Sequence, residues 1–297
     1  MSKNKNTKST PKNAGKNTSK NTGKNTGKNR PKKSPNNRTQ NSVLWDKGKP
    51  TTKSNDNELW LFGKHAVLAA LENPMRKIKR LMVTKRSHDQ YQNTLTEIHL
   101  NHRMLNPEIA AIDVFEKFLP TDAVHQGIAL LTAPLPDNHL DDSCLILDKQ
   151  KNLVLVLDQV TDPHNVGAII RSAAAFGAKA IITTDRHAPP ESGTLAKSAS
   201  GALEILPWVR VTNLSRALEQ LAEMGYWRIG LDGHAKTDIR QADLGDNIAL
   251  VMGAEGKGIR KGTADHCDGL VKLPIKRTVE SLNVSNAAAV ALYVFST

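Results

Sequence analysis

Cysteine is nearly missing from these 297 residues, and the two present, Cys144 and Cys267, stand in neither a metal-binding nor a redox spacing. A disulfide framework and a zinc site are both disfavoured, and a reducing cytoplasm is the expected setting. Aromatic residues are only 4% of the chain, which leaves few platforms for stacking unpaired bases. Any nucleic acid is therefore expected to be held through shape and phosphate contacts. No apolar run approaches the ~20 residues of a membrane span. The N-terminus also lacks the apolar stretch of a secretory signal and the amphipathic pattern of a transit peptide. No membrane partner is expected.

Acids are almost absent from residues 1–53, where thirteen lysines and two arginines face the single acid Asp46, a net +14. Since the whole chain carries +12, the remaining 244 residues carry −2. The basic character thus belongs to the tail, and the folded part has to be judged by its motifs. The tail repeats Lys-Asn-Thr-Ser/Gly every four residues between Lys16 and Lys28 and holds nothing able to build a core. It is expected to be disordered over 1–57, either attracting RNA phosphates in a salt-sensitive way or serving as a solubilising extension.

From about Leu59 the pattern changes. The stretch Phe62–Leu71 has apolar residues at helical spacing, Ile78–Val83 reads as a strand, His88–His102 as a polar helix, and Gly127–Leu131 as a buried strand. A short segment near Ile112–Phe118 completes a small α/β unit over 58–133. The prolines and polar residues from Ala133 to Asp142 suit a linker at about 134–150. Beyond it, apolar strands alternate with helical stretches over 151–297, among them Leu153–Leu157, Ala180–Thr183, Trp227–Leu231 and Ile248–Met252. Such alternation implies a largely parallel sheet with helices on both faces, whose ligands bind beyond the carboxyl ends of the strands.

Three loops, each following a strand, carry polar residues that a plain connector would not need. In the first, Asp158 to Ala173, Pro163 disfavours helix at Asp162, and Asn165 is read as the cap of a helix that bears Arg171 two turns on. Cap and arginine can bracket one ligand, or merely cap and pair. The second, Met252 to Arg260, places Gly253, Gly256 and Gly258 within six residues, freeing the backbone to approach a ligand closely. It is not a Walker A loop, because Gly258 follows Lys257 where Ser or Thr is required. It is not a dinucleotide fingerprint either, because Lys261 stands where the last glycine belongs. Glu255 among these amides suits a polar or cationic ligand, or acts as a helix-end acid. In the third loop, Leu273 to Leu292, Ser281 and Asn283 start an alanine-rich helix able to pack very closely on another element.

In this order the stretches Thr161-Asp-Pro-His-Asn-Val-Gly-Ala168, Met252-Gly-Ala-Glu-Gly-Lys-Gly258 and Ser281-Leu-Asn-Val-Ser285 resemble the three motifs of the SPOUT-class methyltransferases, SpoU/TrmH branch. The preceding unit, with Phe62-Gly-Lys-His-Ala-Val67 and His125-Gln-Gly-Ile128, looks like the small RNA-binding domain of the 23S rRNA guanosine 2′-O-methyltransferases. The resemblance implies an α/β fold: a C-terminal SPOUT domain with a parallel sheet and a deep trefoil knot, preceded by a small α/β (L30e-like) RNA-binding domain. It implies S-adenosyl-L-methionine as cofactor, a homodimer, and rRNA (23S) or a pre-ribosomal particle as partner.

By the same resemblance Gly253, Leu273 and Leu282 fall on cofactor-binding positions, and Arg171, Asn165, Glu255, Ser281 and Asn283 on catalytic ones. A guanidinium rarely gives up its proton, so Arg171 is assigned to stabilising the developing alkoxide rather than to acting as base. Arg277 and Thr278 stand where relatives often have glycine, which implies a stiffer loop or an RNA contact at Arg277. Of the histidines, His164 is a candidate RNA contact, while His65 and His125 are read as structural. Two alternatives remain at this point: a tRNA ribose as substrate, and a non-catalytic RNA-binding ribosome-assembly factor.

Overall fold

The computed structural model describes residues 58–101, 106–242, 245–276 and 278–296, with backbone alone at 99–101. The tail read as disordered and the reading at Arg277 lie outside the described residues. No described helix is long and apolar enough to cross a membrane.

The first part of the chain builds a four-stranded sheet. Its elements are β1 (Leu59–Phe62), α1 (Lys64–Glu72), β2 (Ile78–Val83), α2 (Lys85–Asn101), β3 (Glu108–Ile109), α3 (Ile112–Phe115) and β4 (Ile128–Thr132), in the order β1-β4-β2-β3. β1 and β2 run antiparallel to β4, and β3 runs parallel to β2. The sequence reading ran the helix back to Phe62. Gly63, at φ 88, instead breaks the chain between strand and helix, a conformation that glycine adopts at little cost. The sheet is buried on both sides. Leu61, Leu81 and Leu130 pack with Tyr91, Leu95 and Ile98 of α2, whose spacing makes one helical stripe. Phe62, Met82 and Ala129 pack under Phe115.

The second part is α4 (Leu140–Ser143), β5 (Asn152–Asp158), α5 (Pro163–Ala175), β6 (Ala180–Thr184), α6 (Gly193–Ala199), β7 (Trp208–Val211), α7 (Leu214–Glu223), β8 (Trp227–Leu231), β9 (Thr237–Asp238), β10 (Asn247–Gly253), α8 (Lys261–Ala264), β11 (Gly269–Lys272) and α9 (Val284–Ser296). Seven strands form one sheet in the order β7-β6-β5-β10-β8-β11-β9, and every pairing in it is parallel. β5 is buried at all seven residues, as expected of a central strand covered on both faces. Alternation divides it: Leu153, Leu155 and Leu157 face the core of α5 and α9, whereas Val154 and Val156 face the core of α7. Leu140 and Cys144 also enter the α7-side core, so the segment 134–150 read as a linker contains a helix packed onto the sheet.

Two close approaches fix this arrangement. Gly167 of α5 lies against α6 so tightly that a Cβ would come 2.5 Å from the Leu195 carbonyl oxygen, and Gly193 of α6 meets Trp60 and Phe62 of β1 in the same way. The small sheet therefore packs on α6, and α6 on α5. A buried ion cluster completes the junction. Arg76, 1% exposed, donates from Nε to both oxygens of Glu204 at 3.1 and 2.9 Å, and its guanidinium lies 2.5 Å from Glu191 Oε1. Asn73 donates to Glu204 Oε2 at 2.8 Å, and the Leu135 amide to Glu191 Oε2 at 2.9 Å. Burial opposes the charge on Arg76, but the two carboxylates outweigh it and hold the guanidinium above its usual pKa. Sequence reading assigned none of these residues a role.

Burial pushes the Cys144 thiol up to about 12 and the Cys267 thiol up to about 11. Both therefore stay protonated near neutrality, unfit as nucleophiles.

Removing the guanidinium would leave two buried carboxylates uncompensated. Arg76→Ala is expected to cost ~3–5 kcal/mol in urea unfolding. A loss below ~1 kcal/mol would show that the cluster does not hold the junction.

Candidate active site

The carboxyl ends of the central strands lie along one edge. Gly253 at the end of β10 stands in register with Asp158 at the end of β5, and Leu231 of β8 with Met252 and Val271. After β5 the chain proceeds to β6 and β7 on one side, whereas β10 and β8 occupy the other. The crevice between β5 and β10 is thus the point where strand order reverses, the usual ligand site of such sheets. All three loops singled out in the sequence open at this edge, after β5, β10 and β11.

Polar side chains tie them together. Asp158, fully buried, accepts from Arg260 Nε at 2.7 Å and from the Arg260 amide at 3.0 Å, which joins the first loop to the end of the second. Asn283 donates from Nδ2 to Asn165 Oδ1 at 3.1 Å, which joins the third loop to the first. Asn283 also caps α9, its Oδ1 accepting from the Ser285 amide at 2.9 Å and the Ser285 hydroxyl at 2.6 Å. The sequence reading did not give Asp158 and Arg260 a role. A carboxylate ending an apolar strand, with an arginine closing a glycine loop, was the available signal.

One local assignment is corrected. Asn165 does not cap α5; Asp162 does, its side chain accepting from the His164 amide at 3.0 Å, with Pro163 at the first helical position. Proline forces the preceding residue into the extended conformation that a cap requires. Asn165 then sits inside the first turn, where its side chain is available to Asn283.

Arg171 is exposed two turns along α5, Glu255 is exposed in the second loop, and Ser281 is exposed just before α9. Among the described residues no hydrogen bond or ion pair joins these three to another candidate. His164 shares a 3.3 Å contact with Ser198. His125 accepts from the Gly127 amide and stacks on Phe115 at 4.6 Å, and burial lowers its pKa.

The second loop folds back on itself. Gly258 donates to the Ala254 carbonyl at 2.9 Å, Gly256 and Gly258 have φ of 77 and 65, and a Cβ at Gly253 would lie 1.9 Å from the Gly258 carbonyl carbon. The third loop presents Ile275, Val279 and Leu282 exposed at 41%, 54% and 36%, while Leu273 packs partly against the core. Turned-in backbone in one loop and exposed apolar side chains in another, at the same edge of the sheet, suit a ligand with a flat apolar ring and polar appendages. The loop after β8 is a wall that sequence reading missed: its Asp232 amide bonds the Val271 carbonyl at 2.9 Å, next to the start of the third loop.

A family model described as the SpoU rRNA Methylase family matches residues 152–293, and one described as RNA 2′-O ribose methyltransferase substrate binding matches residues 60–137. A 23S rRNA (guanosine-2′-O-)-methyltransferase RlmB from Pseudomonas aeruginosa is 39% identical over 238 residues, covering 78% of this chain and 94% of that protein. An uncharacterized tRNA/rRNA methyltransferase from Synechocystis is 40% identical over 241 residues, but the chain spans only 61% of its length. In fold, the SpoU methyltransferase AviRb from Streptomyces viridochromogenes, crystallised with AdoMet, superposes with a TM-score of 0.67 at 24% identity, covering 81% of this chain and 89% of that one. The chain belongs to the SpoU rRNA methylase family.

Because Gly253 has no room for a Cβ, Gly253→Ala must open the second loop, at ~1–3 kcal/mol of strain. S-adenosylmethionine affinity, measured by calorimetry, is expected to fall about tenfold or more. Unchanged affinity would remove this loop from the cofactor site.

Proposed function

We propose that the chain methylates the 2′-hydroxyl of a guanosine ribose in 23S rRNA, with S-adenosylmethionine as donor. The Asn165–Asn283 hydrogen bond carries this reading, because it ties the first loop to the third near the strand-order reversal. The near full-length likeness to the Pseudomonas aeruginosa 23S rRNA enzyme supports the choice of substrate over tRNA.

Gly253, Leu273 and Leu282 would hold the cofactor, the first through the backbone of its loop and the other two as an apolar wall. The fit rests on the turned-in loop at Gly253 and the exposed apolar side chains of the third loop. When bound, S-adenosylmethionine supplies an electrophilic methyl group on a sulfonium.

The chain's own task is to orient the ribose oxygen and stabilise charge on it as its proton leaves. The Arg171 guanidinium provides that positive charge. Asn165 is held by Asn283 and orients the ribose or Arg171, Ser281 adds a hydroxyl, and Glu255 holds the second loop.

The same reading takes residues 58–133 as the RNA-binding unit and 151–297 as the catalytic unit, with a deep trefoil knot at the third loop. It also takes the working form as a homodimer in the cytoplasm. Exposed Val290 and Tyr293, which give α9 an apolar outer face, favour pairing. Two unbridged cysteines fit a reducing compartment.

Arg171→Ala is expected to lower methyl transfer to 23S rRNA by about 10²–10³-fold, with cofactor affinity within about twofold of wild type. Tritium incorporation into rRNA fragments and tRNA, assayed side by side, checks both enzyme and substrate. Normal turnover in the variant overturns the role of Arg171, and preferential labelling of tRNA overturns the substrate.

A further inference from the structure

The motif loops leave unexplained a cleft of 440 Å³ on the opposite face of the sheet, at the carboxyl ends of β6 and β7. Arg186 and His187 line it from the turn after β6, Asn213 and Ser215 from the start of α7, and Arg260 from the end of the second loop. Thr184, the last residue of β6, lines its floor. Alternation along β6 puts Thr184 on the same side as Ala180 and Ile182, which pack in the α7-side core. Its hydroxyl is buried without a hydrogen-bond partner among the described residues, an arrangement that a ligand oxygen would satisfy.

The other groups are donors. α7 is ten residues long, and Asn213 caps it by accepting from the Arg216 amide at 3.3 Å. The positive end of the helix dipole therefore opens at the cleft. Arg186, which lines it, is exposed, and so are Arg216 and Lys261, each next in sequence to a lining residue. The nearby acids are engaged: Asp158 by Arg260, and Asp185 by Arg210 at 3.5 Å. Arg260 spends one edge on Asp158, yet its side chain is 45% exposed, which leaves donors for a second anion. None of the lining residues is Phe, Tyr or Trp, whereas phosphate oxygens find donors on several sides.

We infer that this cleft binds a backbone phosphodiester of the RNA substrate and so anchors the strand beside the catalytic loops. The inference rests on the RNA methyltransferase reading above, and Arg260, bonded to Asp158 of the first loop, links cleft to active site. Arg186 and His187 are exposed, so truncating them touches no core.

The test uses the full chain and a fluorescently labelled 23S rRNA fragment, with affinity measured over a series of KCl concentrations. Arg186→Ala is expected to weaken RNA binding about five- to tenfold and to reduce the slope of log affinity against log salt by about one. S-adenosylmethionine affinity should not change. Thr184→Val should also weaken RNA binding while leaving Tm equal or higher, since it removes an unpartnered buried hydroxyl; a merely structural residue would lose stability instead.

Unaltered RNA affinity and salt slope in Arg186→Ala, with the wild type active, overturn the phosphodiester site alone. Loss of inorganic phosphate binding with RNA binding intact also overturns it, since the cleft then serves a free ion. A wild-type protein that neither binds nor methylates rRNA overturns the function and this site together.

Discussion

A carboxylate buried at the end of a central strand has to find a cation, and the position of that cation decides where the neighbouring loop goes. Asp158 ends β5 with no exposed surface, and its partner is Arg260, which closes the loop that leaves β10. The pair holds together two loops that parallel strands would otherwise release independently into solvent. The Asn165–Asn283 bond does the same for the third loop. Stretches whose tying residues lie 102 and 118 positions apart in sequence thereby become one edge, which is what alignment of two reacting groups requires.

The small sheet is fixed to this edge by shape and by charge. Glycines at 167 and 193 allow α5, α6 and β1 to stack without side chains between them, and Arg76 closes the junction by neutralising Glu191 and Glu204 where water cannot. An ion cluster of this kind contributes less net stability than its geometry suggests, because desolvation offsets much of the attraction. Its value lies in permitting one docking and penalising others. On the proposed function, such a junction would set the angle at which RNA reaches the catalytic loops, and the basic cleft beside α7 would fix the far end of the strand.

Much of this was legible in the sequence, for a physical reason. Strands buried on both faces are written as continuous apolar runs, so the central pair β5 and β10 could be read to within a residue, and the loops after them stood out by their polar content; β2 and β8, only partly buried, were legible from their apolar residues and flanking turns. What could not be read were features decided by partners far along the chain. α4 lies in a proline-flanked stretch that looks like a linker, and only the sheet it covers explains why Leu140 and Cys144 are buried. β9 has two residues, too few for any periodicity. The α5 cap was assigned to Asn165 because asparagine is a good cap, although Asp162 before Pro163 was the stronger local signal. Arg76 drew no role from the sequence, because its partners Glu191 and Glu204 lie more than a hundred residues on.

The central claim is that the Asp158–Arg260 pair assembles the cofactor pocket by holding the second loop against the first. Titration calorimetry of S-adenosylmethionine into an Asp158→Ala protein with wild-type circular dichroism tests it most directly. The account predicts a Kd at least about tenfold above wild type. An unchanged Kd would contradict it, because the pocket would then form without the pair.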